Sequence, residues 1–273
     1  QLAEAKELEM KSWIEENDVM ELVDMRKNNI PNYITGRWVL TVKKDKNGNC
    51  LKCKARLVLR GFQDRQVHEL QTDSPTATRP GFRLQCQLAA NKNWDLTHID
   101  LKTAFLQGDG FNEHRNIVCQ LPAEAGYPPY MGARLKRAAY GLNDAPRLWW
   151  NKLDTALRKY GLVPTRADRC CYVLYGKKRA HFDTSTTERT STTNETTLHD
   201  MSNPNWQEAA LDLLMDPLTT SPARGREVLG VVCIHVDDSF MCGNKLFIET
   251  VVNGLRKDFN VGSEDINDIA FVG

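Results

Sequence analysis

Three carboxylates stand where the chain pattern brings them to one edge of a sheet. Asp100 closes an apolar strand through Leu96, His98 and Ile99, and Asp237-Asp238 sit in a tight turn between two more strands, residues 228–235 and 240–242. If those strands lie side by side, the carboxylates cluster, and clustered carboxylates call for a cation. Hard oxygen ligands suit Mg²⁺, which keeps several waters and combines few protein carboxylates with substrate phosphates. Two such ions about 4 Å apart can activate a hydroxyl and stabilise the leaving oxygens of a phosphate. Taken singly, each Asp has a plainer use as a turn former or helix cap.

A second group of chemistry-bearing residues is cationic. Residues 38–42 are bulky or β-branched, Asp45-Lys46-Asn47-Gly48 supplies a turn, and residues 51–60 alternate, which predicts a hairpin. Its second strand sends Leu51, Cys53, Ala55, Leu57 and Leu59 to one face and Lys52, Lys54, Arg56 and Arg60 to the other. With Arg37, Lys43, Lys44, Lys46 and Arg65 nearby, and only Asp45 and Asp64 opposing them, the local field is strongly positive although the whole chain carries +1. A solvated sheet face is the bland alternative.

Helices are needed to hold these pieces. One is expected over residues 3–16, with Leu2, Ala5, Leu8, Trp13 and Ile14 on a partly apolar face. Another spans 80–91, with Pro80 in its first turn and Leu84 and Leu88 at i,i+4. The clearest runs over 143–160, capped by Asn143 or Asp144, with Pro146 near its start, Trp149, Leu153, Ala156, Leu157 and Tyr160 on one side, and Gly161 as the stop. A last helix carries Ile248, Val251, Val252, Leu255 and Phe259. Residues 170–175 and 269–272 read as further strands, and 178–226, rich in Thr and Ser, as a surface insertion with a disordered start.

At 273 residues and 41% hydrophobic, the chain can bury at least one sizeable core. Its longest apolar run, 228–236, is too short to cross a bilayer, and its start is charged rather than signal-like, so a soluble intracellular protein without a membrane partner is expected. Eight cysteines lie mostly in apolar segments and are expected as buried thiols. Cys50 and Cys53 form a CxxC with no second pair at zinc spacing, so they read as strand residues.

Several motifs occur in order. They are Ile99-Asp100-Leu101-Lys102-Thr103-Ala104-Phe105-Leu106-Gln107-Gly108, then Ala139-Tyr140-Gly141-Leu142-Asn143-Asp144-Ala145-Pro146-Arg147-Leu148-Trp149, then Ile234-His235-Val236-Asp237-Asp238. Upstream stand Trp38-Val39, Lys54-Ala55-Arg56-Leu57-Val58 with Arg60-Gly61-Phe62, and Ser74-Pro75-Thr76. Together they resemble the reverse transcriptases of Ty1/copia-type retrotransposons over most of the chain outside the Thr-rich insertion.

The resemblance implies an α+β right-hand polymerase with fingers and palm, the antiparallel palm sheet backed by helices on one side. It divides the chain into an N-terminal and fingers part (1–85), a palm with some fingers residues (86–177 and 227–273) and the insertion (178–226). It implies a two-ion Mg²⁺ site on Asp100, Asp237 and the more peripheral Asp238, with the Leu101 carbonyl as a further ligand. Lys54 and Arg56 would grip the incoming triphosphate, Arg as a planar fork and Lys as a point charge. Phe105 would be the steric gate against a ribose 2′-OH, with an ordinary core Phe as the alternative, and Tyr140 and Gly141 would line the nucleotide pocket. The expected partners are an RNA or DNA template with primer and deoxynucleoside triphosphates. The expected location is cytoplasmic, in a virus-like particle, or nuclear.

There are departures. His235 stands where the family most often has Tyr, the insertion replaces a short connection, and Phe271-Val272-Gly273 resembles only the beginning of the primer-grip region. The expectation is therefore that the thumb, RNase H, protease and integrase segments of the family lie outside this chain. The alternatives are a catalytically inactive remnant that at most binds nucleic acid and, more remotely, a metal-dependent nuclease.

Overall fold

The computed structural model describes residues 1–178 and 226–267. In chain order its elements are α1 (Leu2–Lys11), β1 (Met20–Asp24), β2 (Tyr33–Ile34), β3 (Gly36–Lys44), β4 (Cys50–Leu59), α2 (Arg79–Lys92), β5 (Leu96–Leu101), β6 (Val118–Gln120), β7 (Met131–Leu135), α3 (Ala145–Lys159), β8 (Val163–Pro164), β9 (Cys171–Lys178), β10 (Arg226–His235), β11 (Asp238–Gly243), α4 (Lys245–Asp258) and β12 (Val261–Ile266). The expected insertion, apart from its edge residues 178 and 226, and the whole strand expected at 269–272 lie outside the described residues. Among those described, no helix is long and apolar enough to cross a membrane.

The largest sheet has six strands in the order β12-β5-β11-β10-β9-β8, and every pairing in it is antiparallel. Period-two alternation sends Ile99, Leu101, Val232, Ile234 and Met241 to one face. There they join Trp149, Leu153 and Leu157 of α3 and Phe247, Val251 and Leu255 of α4 in a single buried cluster. Each such side chain stabilises the fold by roughly 1.5–3 kcal/mol. The opposite face, carrying Cys171, Val173, Val231, Cys233 and Cys242, packs on Ala89 of α2. Helices therefore cover both faces, which corrects the expectation of backing on one side. Of the i,i+4 pair expected on this helix, Leu88 is partly buried against this face and Leu84 is exposed, while the buried residues of α2 are Gln85 and Ala89. Gln85 Nε2 donates to the carbonyls of Val231 and Phe240, at 3.1 and 2.9 Å, and so fastens α2 to two strands at once.

The hairpin of β3 and β4 forms as expected, Gly36 pairing with Leu59 and Val42 with Cys53. Ala55, Leu57 and Leu59 are buried, but Leu51 is 68% exposed. Under the proximal half runs α1, prolonged by a π-helical turn over Ser12–Glu16. Its buried side is Ala5, Glu9, Met10 and Trp13, while Leu2, Leu8 and Ile14 face solvent. The apolar face expected from the sequence is thus rotated, with a glutamate inside it.

The remaining sheet among the described residues has four strands in the order β1-β7-β6-β2, with β2 and β6 parallel and the other pairs antiparallel. It shares a buried cluster with α1, β4 and the loop before α3, through Trp13, Ile34, Leu57, Leu59, Ile117, Ala133 and Leu142. Mixed α/β architecture is the result, and of the three buried clusters among the described residues the one under α3 and α4 and the one shared by α1 and β4 meet at Phe105.

Candidate active site

The β10–β11 hairpin turns through only two residues. His235 pairs with Asp238, leaving Val236 and Asp237 at the tip, and Val236 has φ 60. A β-branched residue there is strained by on the order of 1–3 kcal/mol and persists only where its surroundings over-determine it. Three contacts do so. Trp149 Nε1 of α3 donates to the Val236 carbonyl at 2.7 Å, the Leu101 amide donates to the Asp237 carbonyl at 3.0 Å, and the Ala77 amide donates to the Ile234 carbonyl at 2.8 Å. Trp149 packs in the core, as expected of it, while its indole N–H fixes the turn.

In the next pairing Asp238 lies opposite Asp100, so the sheet does bring the three carboxylates to one edge. Asp100 turns its carboxylate toward Gly262 of β12, where a Cβ would overlap it. Asp237 is half-buried, and its carboxyl is pushed above the usual carboxylate range, first by burial and then by the charges of Asp238 and Asp100, with Arg56 opposing. Asp238 is held by a histidine: His98 Nε2 lies 2.7 Å from Asp238 Oδ1, and His98 Nδ1 lies 3.5 Å from Asp265 Oδ2 on β12. The His98 ring stacks on Phe240 with centroids 4.7 Å apart. Among the described residues, no three His, Cys, Asp or Glu side chains converge as a metal cage.

The cationic strand approaches this edge. Burial and the neighbouring Lys43, Arg56 and Lys52 lower the pKa of the Lys54 ammonium, while Asp100 acts in the opposite direction. The Arg56 guanidinium lies 5.4 Å from the Tyr140 ring centre, and Tyr140 meets Phe105 edge to face at 5.5 Å. Burial pushes the Tyr140 hydroxyl up to about 12, Arg56 opposing and Glu9, Asp237 and Asp100 adding to the rise. Lys54, Arg56, Phe105, Tyr140, Asp100 and Asp237 therefore share one electrostatic neighbourhood. Gly141 has φ 91, and a Cβ on it would overlap the Leu59 carbonyl. The close approach this glycine permits is to the backbone of β4, where the Leu59 amide donates to the Tyr140 carbonyl at 2.7 Å and the Gly61 amide to the Gly141 carbonyl at 3.1 Å.

Sequence reasoning missed three supports. His98 had a signal, since two residues before Asp100 on a strand means the same face. Gly262 and Asp265 had none, because β12 (Val-Gly-Ser-Glu-Asp-Ile) lacks strand-like alternation of apolar residues. A buried ion network is the third: Arg115 lies 2.5 Å from Asp64 and 3.3 Å from Asp144, the residue before α3. It ties the segment after β4 to the start of that helix.

A family model described as reverse transcriptase (RNA-dependent DNA polymerase) matches residues 17–182, more than half of the chain. Lys54, Arg56, Asp100, Phe105 and Tyr140 lie inside the match, and Asp237-Asp238 beyond it. The Pol polyprotein of transposon TNT 1-94 from Nicotiana tabacum is 32% identical over 175 residues, covering 63% of this chain and 13% of that protein. That of transposon RE2 from Arabidopsis thaliana is 33% identical over 141 residues, 50% of this chain and 10% of the relative. The Ty1-LR2 Gag-Pol polyprotein of Saccharomyces cerevisiae is 26% identical over 167 residues, 60% of this chain and 9% of the relative. The matched part thus spans about a tenth of these polyproteins' length. Motif order, the shared strand edge and these similarities converge: the chain belongs to the reverse transcriptase family found in Ty1/copia-type Pol polyproteins.

Proposed function

We propose that the chain is the fingers and palm of an RNA-directed DNA polymerase, with the β3–β4 hairpin as fingers and the six-stranded sheet as palm. The observation that carries this is the position of Asp237: between Asp100 and Asp238 in charge, opposed by Arg56 of the hairpin, at the tip of a strained turn. Burial first, and then the charges of Asp238 and Asp100, raise the Asp237 carboxyl pKa; a divalent cation would offset both, so the donor set fits Mg²⁺. Asp100 and Asp237, with the Leu101 carbonyl, would hold it, and Asp238, engaged by His98, is the peripheral member. When bound, the metal supplies activation of a primer 3′-hydroxyl and neutralisation of the leaving pyrophosphate.

The chain's own side chains do the rest. Lys54 and Arg56 neutralise and orient the triphosphate of a deoxynucleotide. Phe105, which meets Tyr140 edge to face, is the ring that would block a ribose 2′-OH. Gly141 keeps the loop that carries Tyr140 against β4 and so fixes the distance between the cationic strand and the aromatic wall. Template, primer and the remaining Pol segments are the proposed partners.

A second reading, an inactive remnant that binds nucleic acid without catalysis, is favoured by one observation, the capture of Asp238 by His98. The two separate in single-nucleotide extension of a DNA primer on an RNA template, with Mg²⁺ or with EDTA. Extension that needs Mg²⁺ supports the polymerase. Binding of the primer–template by folded protein with no extension supports the remnant.

A further inference from the structure

Phe62 is the most exposed large hydrophobic residue among those described, at 78%. Its ring is at the surface although the chain on both sides of it is fixed. Gly61 is buried, its amide donating to Gly141, and a Cβ on it would overlap the Gly141 carbonyl. Gln63 Oε1 accepts from the Thr35 amide at 2.7 Å and from its hydroxyl at 2.9 Å. Asp64 is buried, paired with Arg115, and accepts from Asn32 Nδ2 at 2.8 Å. A loose loop would let a phenyl ring fold back onto the core; this turn, Gly61–Gln63, is pinned at every neighbour and holds the ring in water.

What flanks the ring indicates its partner. Arg60 and Arg65 are exposed on either side, and the only carboxylate between them in sequence, Asp64, is buried and already neutralised by Arg115. Arg60 is oriented by Thr35, its guanidinium donating to Oγ1 at 3.3 Å. The turn also continues the candidate pocket: Leu59 and Gly61 bond Tyr140 and Gly141, and Tyr140 touches Phe105. An aromatic face with cations beside it is what an unpaired base and its phosphates require.

We propose that Phe62 is a stacking platform for an unpaired template base entering the site, with Arg60 and Arg65 on the adjoining phosphates. This rests on the polymerase reading but uses none of its chemistry, so binding can be measured in EDTA. Two labelled substrates are compared by fluorescence anisotropy: an RNA–DNA hybrid with a single-stranded 5′ RNA overhang, and the same hybrid blunt. Wild type binds the overhang substrate more tightly. Phe62→Ala and Phe62→Leu weaken that binding roughly five- to a hundredfold, leave blunt binding unchanged, and retain the wild-type circular dichroism. Phe62→Trp keeps wild-type affinity, and its added fluorescence is quenched by the overhang.

If Phe62→Ala keeps the overhang preference, or Phe62→Leu behaves as wild type, the stacking proposal is overturned and a protein partner becomes the better occupant of this surface. If wild type binds neither substrate, the polymerase reading falls with it. Overhang preference that survives Phe62→Ala removes only the platform.

Discussion

Phe105 packs against two buried clusters and the Tyr140 ring, so it cannot swing out of place without opening a cavity. That rigidity suits a gate better than a mobile side chain would, because exclusion of one hydroxyl needs a wall that does not yield. Phe105→Val should therefore raise incorporation of a ribonucleotide relative to its deoxynucleotide on the order of tenfold or more. The check is paired kcat/KM values for the two substrates, and an unchanged ratio would return Phe105 to the role of core residue. At this scale the sequence was legible where chemistry and strand pairing coincided: Asp238 pairs with Asp100 beside the turn that carries Asp237, and the charges of Asp100 and Arg56 act on Lys54 and Asp237 respectively. His98 was harder to see, because a histidine's partner is decided by strand pairing, here with β11, and not by its neighbours in sequence.

The hairpin and α1 depend on each other through one buried carboxyl group. Glu9 Oε1 accepts from the Leu57 amide and from Trp13 Nε1, both at 3.1 Å, and burial raises its pKa above the ordinary 4.5. A raised folded-state value means that the group's contribution to stability is complete below the unfolded pKa and is lost as pH rises through the folded one. Glu9→Gln keeps an acceptor and removes the charge. Its Tm should match wild type near pH 4 and exceed it by an increasing margin toward pH 7; a margin that does not change with pH would mean the carboxyl is not held in this buried pair of hydrogen bonds. Gly141 joins the same hairpin to the other side. Gly141→Ala must place a Cβ against the Leu59 carbonyl at φ 91, so it should destabilise by about 2 kcal/mol or more in urea unfolding. An unchanged midpoint would show that β4 and this loop are not in contact. The helices with strong periodicity, α3 and α4, were readable from sequence, whereas the face of α1 was readable only at Ala5 and Trp13, because a glutamate and a π-turn interrupt its apolar stripe.

For the whole molecule, the six-stranded sheet and the hairpin were anticipated in their central strands, and the four-stranded sheet was not. Its strands are two to five residues long, and two of them, β2 and β6, pair in parallel over two positions, so neither alternation nor turn residues mark them. They matter because this sheet shares a core with α1, β4 and the loop before α3, and so fixes the base of the cationic hairpin. The two sheets and the helices between them act as one support for six side chains drawn from β4, β5, the β10–β11 turn and two loops. The most direct test of that account is the single-turnover rate of nucleotide addition to a DNA primer on an RNA template, for wild type and Asp237→Asn at equal Mg²⁺. The account predicts measurable addition by wild type and none by Asp237→Asn, with the variant's thermal unfolding intact. Equal rates for the two proteins would contradict it.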